Sequence, residues 1–475
     1  MSGASGGVDG LAALLSPASI AVIGASEDPE TLSGRPLQIL AQHGYTGAVY
    51  PVNPRHRSIG GIPAFPSIGD VPGPVDLAVV AVRAERVVEL LGQCAAAEVR
   101  SAVVFSSGFA EEGEPGARAE REIAELARRS GMRVLGPNAE GFFNLGDGIP
   151  VSFSPTVDYE RGLTRLVPGN VAVVSQSGGL GFAVFNWGQA VGLGASYVVS
   201  TGNEADVEAL ELAGYLLDRP GTDVVALLVE GFRSFDRLEA VALRAARAGK
   251  HLVVAKLGRS AAGRRAATAH TAHDAGDDAT YQAAFDRLGV VRVDDQEELL
   301  DVCFALSRRR LAAGGRVGIV TPSGGAGVWL ADACSREGLE VPELDTALQQ
   351  ALAPLMPSYG SPRNPVDVTA QALSRSGISP SLALLCGSDQ VDAVVMVAAL
   401  AGPQMLRREE RQIAEVLAGT AKPVVAYTYT RPGDESVEVL ARLGLAWYPS
   451  PQRTARALAA VARVGRALPA ASPVG

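Results

Sequence analysis

The sequence predicts an α/β protein built from three consecutive open-sheet domains. Short β-branched runs, such as VDLAVVAV at 75–82, alternate with longer stretches rich in Ala, Leu, Arg and Glu, which is the pattern of βαβ units. These runs are apolar on both faces, as parallel strands are when helices cover both sides of a sheet. A chain of 475 residues is long enough for about three such domains. We expect them at 1–148, 149–308 and 309–475.

The composition excludes several classes of function. The net charge is −9, and the basic residues are almost all arginines scattered singly, so no basic stripe can neutralise a nucleic-acid backbone. No basic amino-terminal region precedes an apolar core, and no window approaches about 18 uninterrupted apolar residues, so we expect neither secretion nor membrane insertion. A cytoplasmic protein is the expectation. The cysteines lack C-x-x-C spacing, and we expect buried reduced thiols at Cys94, Cys303, Cys334 and Cys386.

The first domain opens with a strand and a glycine turn, SIAVIGAS at 19–26, followed by a predicted helix. The dinucleotide-binding G-x-G-x-x-G is incomplete, because Ser26 stands at the second glycine. The next strand ends in YPVNPRH, which lacks the acidic residue that would bind a ribose diol, so the sequence disfavours NAD. Arg55 and His56 suit a phosphate on the ribose instead. Coenzyme A, which carries a 3′-phosphate, fits this pattern.

The second and third domains resemble each other and indicate an internal duplication. VAVVSQSGGLGFAV at 171–184 lies over VGIVTPSGGAGVWL at 317–330, with S-G-G-x-G at the same point of each. Each turn places backbone N–H groups at the start of a helix that follows a strand, which is a site for an anion. The alternative is that each glycine cluster only makes a tight strand-to-helix turn.

Two of the five histidines, His270 and His273, lie in AATAHTAHDAGDDATYQAAF at 266–285. This segment follows GKHLVVAKLG in the second domain, whereas the corresponding AKPVVAYTYT of the third domain runs on without a histidine. Because the histidine segment is present in only one of the two duplicated domains, a chemical role for a histidine is favoured over a packing role. Zinc is a weak alternative, because H-x-x-H has no nearby cysteine and no H-E-x-x-H helix. A neutral imidazole near an anion site could instead carry a phosphoryl group.

An ordered set of motifs runs through all three domains. The first has VIGAS at 22–26, YPVNP at 50–54 and GPN at 136–138; the second has SQSG at 175–178, GNEADV at 202–207 and KLGRS at 256–260; the third has NPVDVT at 364–369. Nearly end to end, the chain resembles the α subunit of the nucleoside-diphosphate-forming acyl-CoA synthetases, relatives of the succinyl-CoA synthetase α subunit. The resemblance implies a Rossmann-like CoA-binding domain followed by two flavodoxin-like domains.

The resemblance also implies a reaction: carboxylic acid, CoA and ATP give acyl-CoA, ADP and phosphate reversibly, through an acyl phosphate and a phosphohistidine. His270 corresponds to the phosphorylated histidine and Glu230 to the carboxylate that orients it, whereas His273 has no counterpart. No metal ligand is expected. Phosphate binding falls to Ser175, Gln176, Ser177, Gly178 and Gly179. CoA binding falls to Gly24, Ala25, Ser26, Val52, Asn53, Pro54, Arg55, Val82, Ser107, Gly108 and Asn138.

The sequence departs from the family pattern beside the predicted chemistry. The family's SHTG reads AHTA here, with Ala269 and Ala272, and its GPNC reads GPNA, with Ala139 followed by Glu140. Loss of a hydroxyl and of a glycine changes how the histidine loop is hydrogen-bonded, and Glu140 indicates a changed acyl substrate or acceptor. The alternative function is therefore a drifted, non-catalytic CoA-binding or scaffold protein of the same fold.

The chain lacks the sequence signals of an ATP site. No G-x-x-x-x-G-K-[ST] is present, and the only Gly-Lys pair, Gly249-Lys250, is followed by His251. Three α/β domains leave no room for an ATP-grasp fold, and the chain has only three lysines. We expect ATP, ADP and Mg to bind through a separate ATP-grasp β subunit. We also expect this chain to form a hetero-oligomer or a homodimer. The small substrate is expected to be a carboxylic acid or acyl-CoA.

Overall fold

Three open sheets organise the chain in the computed structural model, which describes residues 5–271, 276–372 and 377–467. The first region contains strands β1 (Ser19–Ile23), β2 (Ala48–Val52), β3 (Ser58–Ile59), β4 (Ile62–Pro63), β5 (Leu77–Val80), β6 (Ser101–Val104) and β7 (Arg133–Leu135). Its helices are α1 (Ser5–Leu15), α2 (Arg35–Gln42), α3 (Val87–Ala96) and α4 (Glu114–Ser130). The main sheet has the order β2-β1-β5-β6-β7 with every pairing parallel, and β3 and β4 form a separate antiparallel hairpin.

Alternation of side chains along β1 explains why helices cover both faces of the first sheet. Every residue of β1 is buried. Ile20 and Val22 join a core with α1 and α2, whereas Ala21 and Ile23 join a second core with α3 and α4. Because successive strand residues point to opposite faces, a run that is apolar throughout must be covered on both sides.

The second sheet is mixed. Its strands are β8 (Gly141–Asn144), β9 (Ile149–Ser152), β10 (Pro168–Ser175), β11 (Ala195–Ser200), β12 (Val224–Val229), β13 (His251–Lys256) and β14 (Val291–Val293), in the order β14-β13-β12-β10-β11-β8-β9. Strands β10 to β13 are parallel, and β8 runs antiparallel to β11 and β9. The helices of this region are α5 (Gly178–Val191), α6 (Ala209–Leu217), α7 (Phe235–Arg247), α8 (Ala261–Thr271) and α9 (Asp278–Leu288).

The third sheet is parallel throughout, in the order β16-β15-β17-β18-β19 once its strands are numbered along the chain. The strands are β15 (Val317–Thr321), β16 (Val366–Asp367), β17 (Ala393–Ala398), β18 (Val424–Thr428) and β19 (Ala446–Tyr448). The helices are α10 (Gln296–Leu306), α11 (Gly324–Arg336), α12 (Thr346–Leu352), α13 (Thr369–Ala372), α14 (Ser379–Gly387), α15 (Gln404–Ala418), α16 (Asp434–Arg442) and α17 (Pro451–Ala467).

The chain packs into two compact units, and the three predicted domains stay a prediction. One unit contains residues 1–190 and 194–292, and the other contains residues 191–193 and 293–475. The predicted boundary at 148/149 divides the β8–β9 hairpin, both strands of which pair into the second sheet. The predicted boundary at 308/309 assigns α10 to the second domain, but α10 packs on α17 in the second unit. Both arrangements arise because distant pairing, and not local pattern, decides where a hairpin or helix packs.

The two S-G-G-x-G turns share a local geometry, in agreement with the predicted duplication. The Ser175 hydroxyl donates to Ser177 O (2.6 Å), and the Thr321 hydroxyl donates to Ser323 O (2.8 Å). Each turn therefore closes on a hydroxyl from the last residue of the preceding strand.

Three features concern all of the described residues: the cysteines, the length of the apolar helices, and groups of side chains that could bind a metal. All four cysteines are buried, as predicted. Within the described ranges, no helix is long and apolar enough to cross a membrane. The same residues contain no group of three or more His, Cys, Asp or Glu side chains that could hold a metal ion.

Candidate active site

The predicted CoA-binding residues follow strands of the first sheet at a single edge. They come after β1, β2, β5, β6 and β7, whose carboxyl ends meet because the sheet is parallel. The Asn53 amide donates to Ala25 O (2.8 Å). The Ser106 hydroxyl donates to Val82 O (2.5 Å), and Ser106 O accepts from Asn138 N–H (2.8 Å). The structure thus gathers at this edge Gly24, Ala25, Ser26, Val52, Asn53, Pro54, Arg55, Val82, Ser107, Gly108 and Asn138.

Gly24 makes the turn after β1, and only glycine fits there. Its φ is +83°, and a Cβ atom at this position would lie 2.9 Å from both Ala81 O and Val82 Cγ1. The predicted helix does not follow directly, since α2 begins at Arg35. A dinucleotide fold places a helix amino terminus immediately after such a turn to bind the pyrophosphate. The loop at 24–34 therefore agrees with the sequence argument against NAD.

Basic side chains follow β2 at the same edge. Arg55, His56 and Arg57 are all exposed. The Arg55 N–H donates to the Asn53 side-chain oxygen (2.9 Å), which fixes the turn that presents these side chains. They are available to bind a phosphate group of a ligand.

The predicted phosphate turn joins β10 to α5. Its N–H groups from Ser177 onward precede the first intrahelical bond, which runs from Gly181 N–H to Ser177 O (3.2 Å). A Cβ atom on Gly181 would lie 2.7 Å from Ser175 Cβ, so the helix can start this close to the strand only with glycine. Backbone donors at a helix amino terminus are suited to phosphate oxygens.

Gln176 ties the phosphate turn to Glu230. Its side-chain NH₂ donates to Glu204 Oε2 (3.1 Å) and Gly231 O (2.9 Å), and its side-chain oxygen accepts from Glu230 N–H (2.6 Å). Its own backbone N–H donates to Leu228 O (3.0 Å). Gln176, Glu204 and Glu230 are buried, at 4%, 3% and 5% exposure. The donors of Gln176 are therefore engaged within the protein, beside the turn that is predicted to bind phosphate.

The loop at 202–207 connects the CoA edge with this network. Asn203 N–H donates to Pro137 O (2.9 Å), and the Asn138 amide donates to the Asn203 side-chain oxygen (3.3 Å). Glu204, the next residue, accepts from Gln176. The two predicted binding regions are thus held in one hydrogen-bonded assembly within the first unit.

Lys256 ends β13 and is 3% exposed. Its ammonium donates to Leu257 O (2.6 Å) and lies 4.8 Å from the centre of the Tyr281 ring. Burial lowers the pKa of Lys256 to about 8. The Asp278 and Glu230 carboxylates have the opposite, smaller effect and raise it. The Glu230 carboxylate therefore lies close enough to this buried cation to raise the pKa of Lys256.

The histidine segment begins in α8, of which His270 is the penultimate residue. Only the backbone of His270 is described, and His273 lies outside the described residues. Helix α8 lies against the turn at Ala110–Glu112, just beyond the predicted CoA-binding Gly108. The structure therefore places helix α8, which contains the predicted phosphoryl carrier, against a turn next to the CoA edge of the same unit.

Helix α9 resumes the described chain after the histidine segment and is anchored to the loop that carries Glu230. The Tyr281 hydroxyl accepts from Phe232 N–H (2.8 Å), and the Tyr281 side chain is buried. The Asp277 carboxylate caps α9 by accepting from Thr280 N–H (3.0 Å). One end of the segment is therefore fixed beside the Glu230 loop.

Glu140 lies beside the first glycine of the phosphate turn. A Cβ atom on Gly178 would lie 2.9 Å from Glu140 Oε2. The Glu140 backbone is held at both ends, because its N–H donates to Ser200 Oγ (3.0 Å) and its carbonyl accepts from Ser152 Oγ (2.7 Å). Burial raises the pKa of the Glu140 carboxyl. A fixed carboxyl group therefore stands at the amino terminus of α5.

Sequence reasoning identified GNEADV and KLGRS as motifs but gave no role to Glu204 or Lys256. Both are charged residues in motifs adjacent to buried strands. That signal was available in the sequence, but Gln176 lies 28 residues from Glu204 along the chain, and Tyr281 lies 25 residues from Lys256.

Successive parts of the chain match three known family descriptions: a CoA binding domain at residues 18–144, a succinyl-CoA ligase like flavodoxin domain at 168–306 and a ligase-CoA domain at 317–443. Among characterised proteins, the α subunit of ADP-forming acetate–CoA ligase I from Pyrococcus furiosus is 34% identical over 95% of this chain and 97% of its own length. ADP-forming acetate–CoA ligase I from Archaeoglobus fulgidus is also 34% identical over 95% of this chain, which spans 63% of that protein.

A solved structure shows the same overall similarity. The dinucleotide-forming acetyl-coenzyme A synthetase 1 of Ca. Korarchaeum cryptofilum, in complex with phosphate and ADP, superposes with a TM-score of 0.84 at 31% identity. The match covers 96% of this chain and 97% of that one. Sequence and structure therefore agree over nearly the whole length.

Proposed function

This chain belongs to the family of ADP-forming acid–CoA ligase α subunits, and from that premise we propose how its residues carry the reaction. It is an acid–CoA ligase that forms acyl-CoA reversibly from a carboxylic acid, CoA and ATP, with ADP and phosphate as products. Nothing in the described residues favours the non-catalytic alternative.

The proposed route passes through a phosphohistidine. In the direction of synthesis, the His270 imidazole takes the γ-phosphoryl group of ATP, and ADP leaves. A carboxylate oxygen of the acid then attacks the phosphorus, giving an acyl phosphate and the free imidazole. The CoA thiolate finally attacks the acyl carbon, and inorganic phosphate leaves with the electron pair of the broken C–O bond.

The observation that carries this proposal is the bond from Glu230 N–H to Gln176 Oε1 (2.6 Å). It joins the main chain of Glu230, whose carboxylate is assigned to orient the histidine, with the turn assigned to hold phosphate. In our assignment, Ser177, Gly178 and Gly179 supply backbone donors to the phosphoryl oxygens, whereas Gln176 positions the turn. The Glu230 carboxylate would accept a hydrogen bond from the imidazole, fix its tautomer and stabilise its charged form.

The test uses the reverse half-reaction, which needs no nucleotide. The purified chain is incubated with phosphate and candidate acyl-CoAs, which releases CoA, and intact mass is measured before and after acid treatment. We expect an acid-labile addition of one phosphoryl group to the parent chain and to His273→Asn, and none to His270→Asn. Phosphate uptake by His270→Asn together with its loss in His273→Asn would show that the assignment is wrong.

Glu230 is tested in the same assay. Glu230→Gln keeps the backbone N–H that donates to Gln176, so the turn should remain in place while the negative charge beside the imidazole is lost. We expect the rate of phosphohistidine formation to fall by about 100-fold or more, with an unchanged midpoint of unfolding. An unchanged rate would remove Glu230 from the mechanism.

ATP and Mg are assigned to a partner. We infer a separate ATP-grasp β subunit, because the sequence lacks an ATP-binding motif and several relatives are themselves α subunits. His270 would then reach the nucleotide across a subunit interface. Phosphorylation of His270 by ATP in the purified chain alone, without any other protein, would contradict this inference.

The assembly, substrate and location follow from the same assignment. We expect a hetero-oligomer with the β subunit or a homodimer of this chain, a small carboxylic acid or acyl-CoA as substrate, and a cytoplasmic enzyme. Light scattering of the chain alone and after addition of a candidate β subunit would measure the assembly. A panel of acyl-CoAs in the mass assay would identify the acyl group.

A further inference from the structure

The second unit contains a cavity. It lies away from the S-G-G turn that joins β15 to α11. The volume is about 280 Å³. It opens at the amino ends of β18 and β19, next to Pro423 and Gly444, whereas the S-G-G turn follows the carboxyl end of β15. In a parallel sheet these are opposite edges, so the cavity is separate from that turn.

One side of the cavity is apolar and the other is basic. Val424, Leu458 and Val461 are buried side chains that line it, from β18 and α17. Arg308 and Arg310 line it from the segment that follows α10. Arg310 is partly engaged, since its guanidinium donates to Leu417 O (2.6 Å) and so caps α15.

The Arg308 guanidinium has no counter-charge among the residues that the structure describes. Its Nε is buried without a hydrogen-bond partner, and its Cζ lies 4.7 Å from the centre of the Phe304 ring. Burial lowers the pKa of Arg308 to about 10, and within the described ranges the one ionisable group that raises it is the Tyr448 hydroxyl, which is not a carboxylate.

Two other arginines of the same unit each form an ion pair with a carboxylate through two hydrogen bonds. Arg453 forms two bonds to the Asp301 carboxylate (2.8 and 2.7 Å), and Arg316 forms two to Asp392 (3.0 and 2.7 Å). A partly buried charge without such a partner is unfavourable, because desolvation is not offset by an opposite charge. Arg308 is therefore a cation whose partner is missing and which borders an open space.

We propose that this cavity binds a small monocarboxylate with an apolar body, whose carboxylate pairs with the Arg308 guanidinium. The planar guanidinium matches a carboxylate through two parallel N–H···O bonds. The aliphatic wall would cover the apolar body, as in most small-molecule sites, where a few polar groups fix the orientation. The volume fits a molecule of metabolite size.

The first test compares Arg308→Met with the full-length parent chain. Methionine keeps much of the aliphatic stem and contact with Phe304 but removes the charge. Urea unfolding of the second unit is followed with increasing benzoate, at constant ionic strength. In buffer without carboxylate we expect Arg308→Met to be at least as stable as the parent chain, because an uncompensated charge is gone.

Benzoate should raise the unfolding midpoint of the parent chain in a saturable manner. The apparent affinity should be about tenfold or more lower in Arg308→Met, which loses a charged hydrogen-bonding pair. Arg463→Met is the matched control. Arg463 is exposed on α17, so its replacement removes the same charge from the same unit. Binding of benzoate at the catalytic site contributes equally to all three chains and cancels in the comparison.

Several results would overturn the proposal. If Arg308→Met is less stable without carboxylate and its midpoint rises in parallel with that of the parent, the guanidinium is a structural cation stacked on Phe304. If inorganic phosphate gives the same Arg308-dependent rise as benzoate, an apolar body is not required. Should Arg308→Met fail to fold, crystals of the parent chain soaked in 4-bromobenzoate decide the matter. A bromine anomalous peak in the cavity supports the site, and an empty cavity refutes it.

Discussion

Replacement of Gln176 by leucine tests whether the phosphate turn and Glu230 form one assembly. Leucine is similar in volume but has no polar atoms, so the space stays filled. Three short bonds are lost, to Glu204 Oε2 (3.1 Å), Gly231 O (2.9 Å) and Glu230 N–H (2.6 Å), together with a longer one from Gly231 N–H (3.4 Å). Each buried group left without a partner costs about 1–3 kcal/mol, and shared relaxation makes the sum smaller than three full losses. We expect about 3–6 kcal/mol of destabilisation in the first unit.

The assay has a stability arm and a chemical arm. Urea unfolding, followed by a probe in the first unit, measures the free energy of unfolding. Acid-labile phosphate uptake from acyl-CoA and phosphate, measured below the unfolding transition, reports whether the turn and Glu230 remain aligned. The control is Gln93→Leu, which also removes an amide, but an exposed one bonded to Glu89 (3.1 Å) within α3. That control should change stability by less than about 0.5 kcal/mol.

The reasoning is refuted if Gln176→Leu unfolds within about 1 kcal/mol of the parent chain and takes up phosphate at the parent rate. Such a result would mean that the buried bonds exchange freely with water or other partners. Loss of stability with unchanged phosphate uptake would refute the functional half alone.

Three further predictions concern neighbouring groups. Lys256→Met should raise the free energy of unfolding at pH 7 by up to about 3 kcal/mol, because burial holds the pKa of Lys256 at about 8 against 10.5 in the unfolded chain. The unfolded parent binds more protons between those values, so parent stability rises with pH and the difference should shrink in urea titrations at pH 10. Glu140→Gln should lower the phosphate concentration for half-maximal uptake by roughly tenfold, since a negative charge beside Gly178 disappears; an unchanged concentration would contradict this. Gly24→Ala should cost roughly 1–2 kcal/mol at its positive φ and weaken CoA binding in calorimetry, where the parent should bind CoA and not NAD.

Much of the fold could be predicted because local pattern carries it. LAVV is apolar at every position and SIAVI is apolar at every position after Ser19, and both are fully buried parallel strands. The pairing of elements that are distant along the chain could not be predicted in the same way. Whether β8 pairs with β11, or α10 packs on α17, depends on residues more than 50 positions apart, which no local pattern reports.

In the candidate site, too, features that depend on local sequence could be predicted, and features that depend on tertiary contacts could not. Turn geometry is local, so the sequence alone located the glycine turn at Gly24 and the strand-to-helix turn after Ser175, whose binding of phosphate stays a prediction. The proposed pairing of Glu230 with His270 came from family resemblance and stays a prediction, because the His270 side chain is not described. The engagement of the Gln176 donors is a tertiary fact, since its partners come from the loops at Glu204 and Gly231.

By itself, the sequence determined that this protein is α/β, where its strands end, which turns require glycine, and which family it resembles. Those properties depend on the spacing of apolar residues and on backbone conformations that few residues can adopt. Only the tertiary structure decided which charges are paired. Arg453 has Asp301 and Arg308 has no described carboxylate, although both are single arginines in the sequence. Charge pairing depends on distance through space and on burial, and neither is fixed until distant segments have packed together.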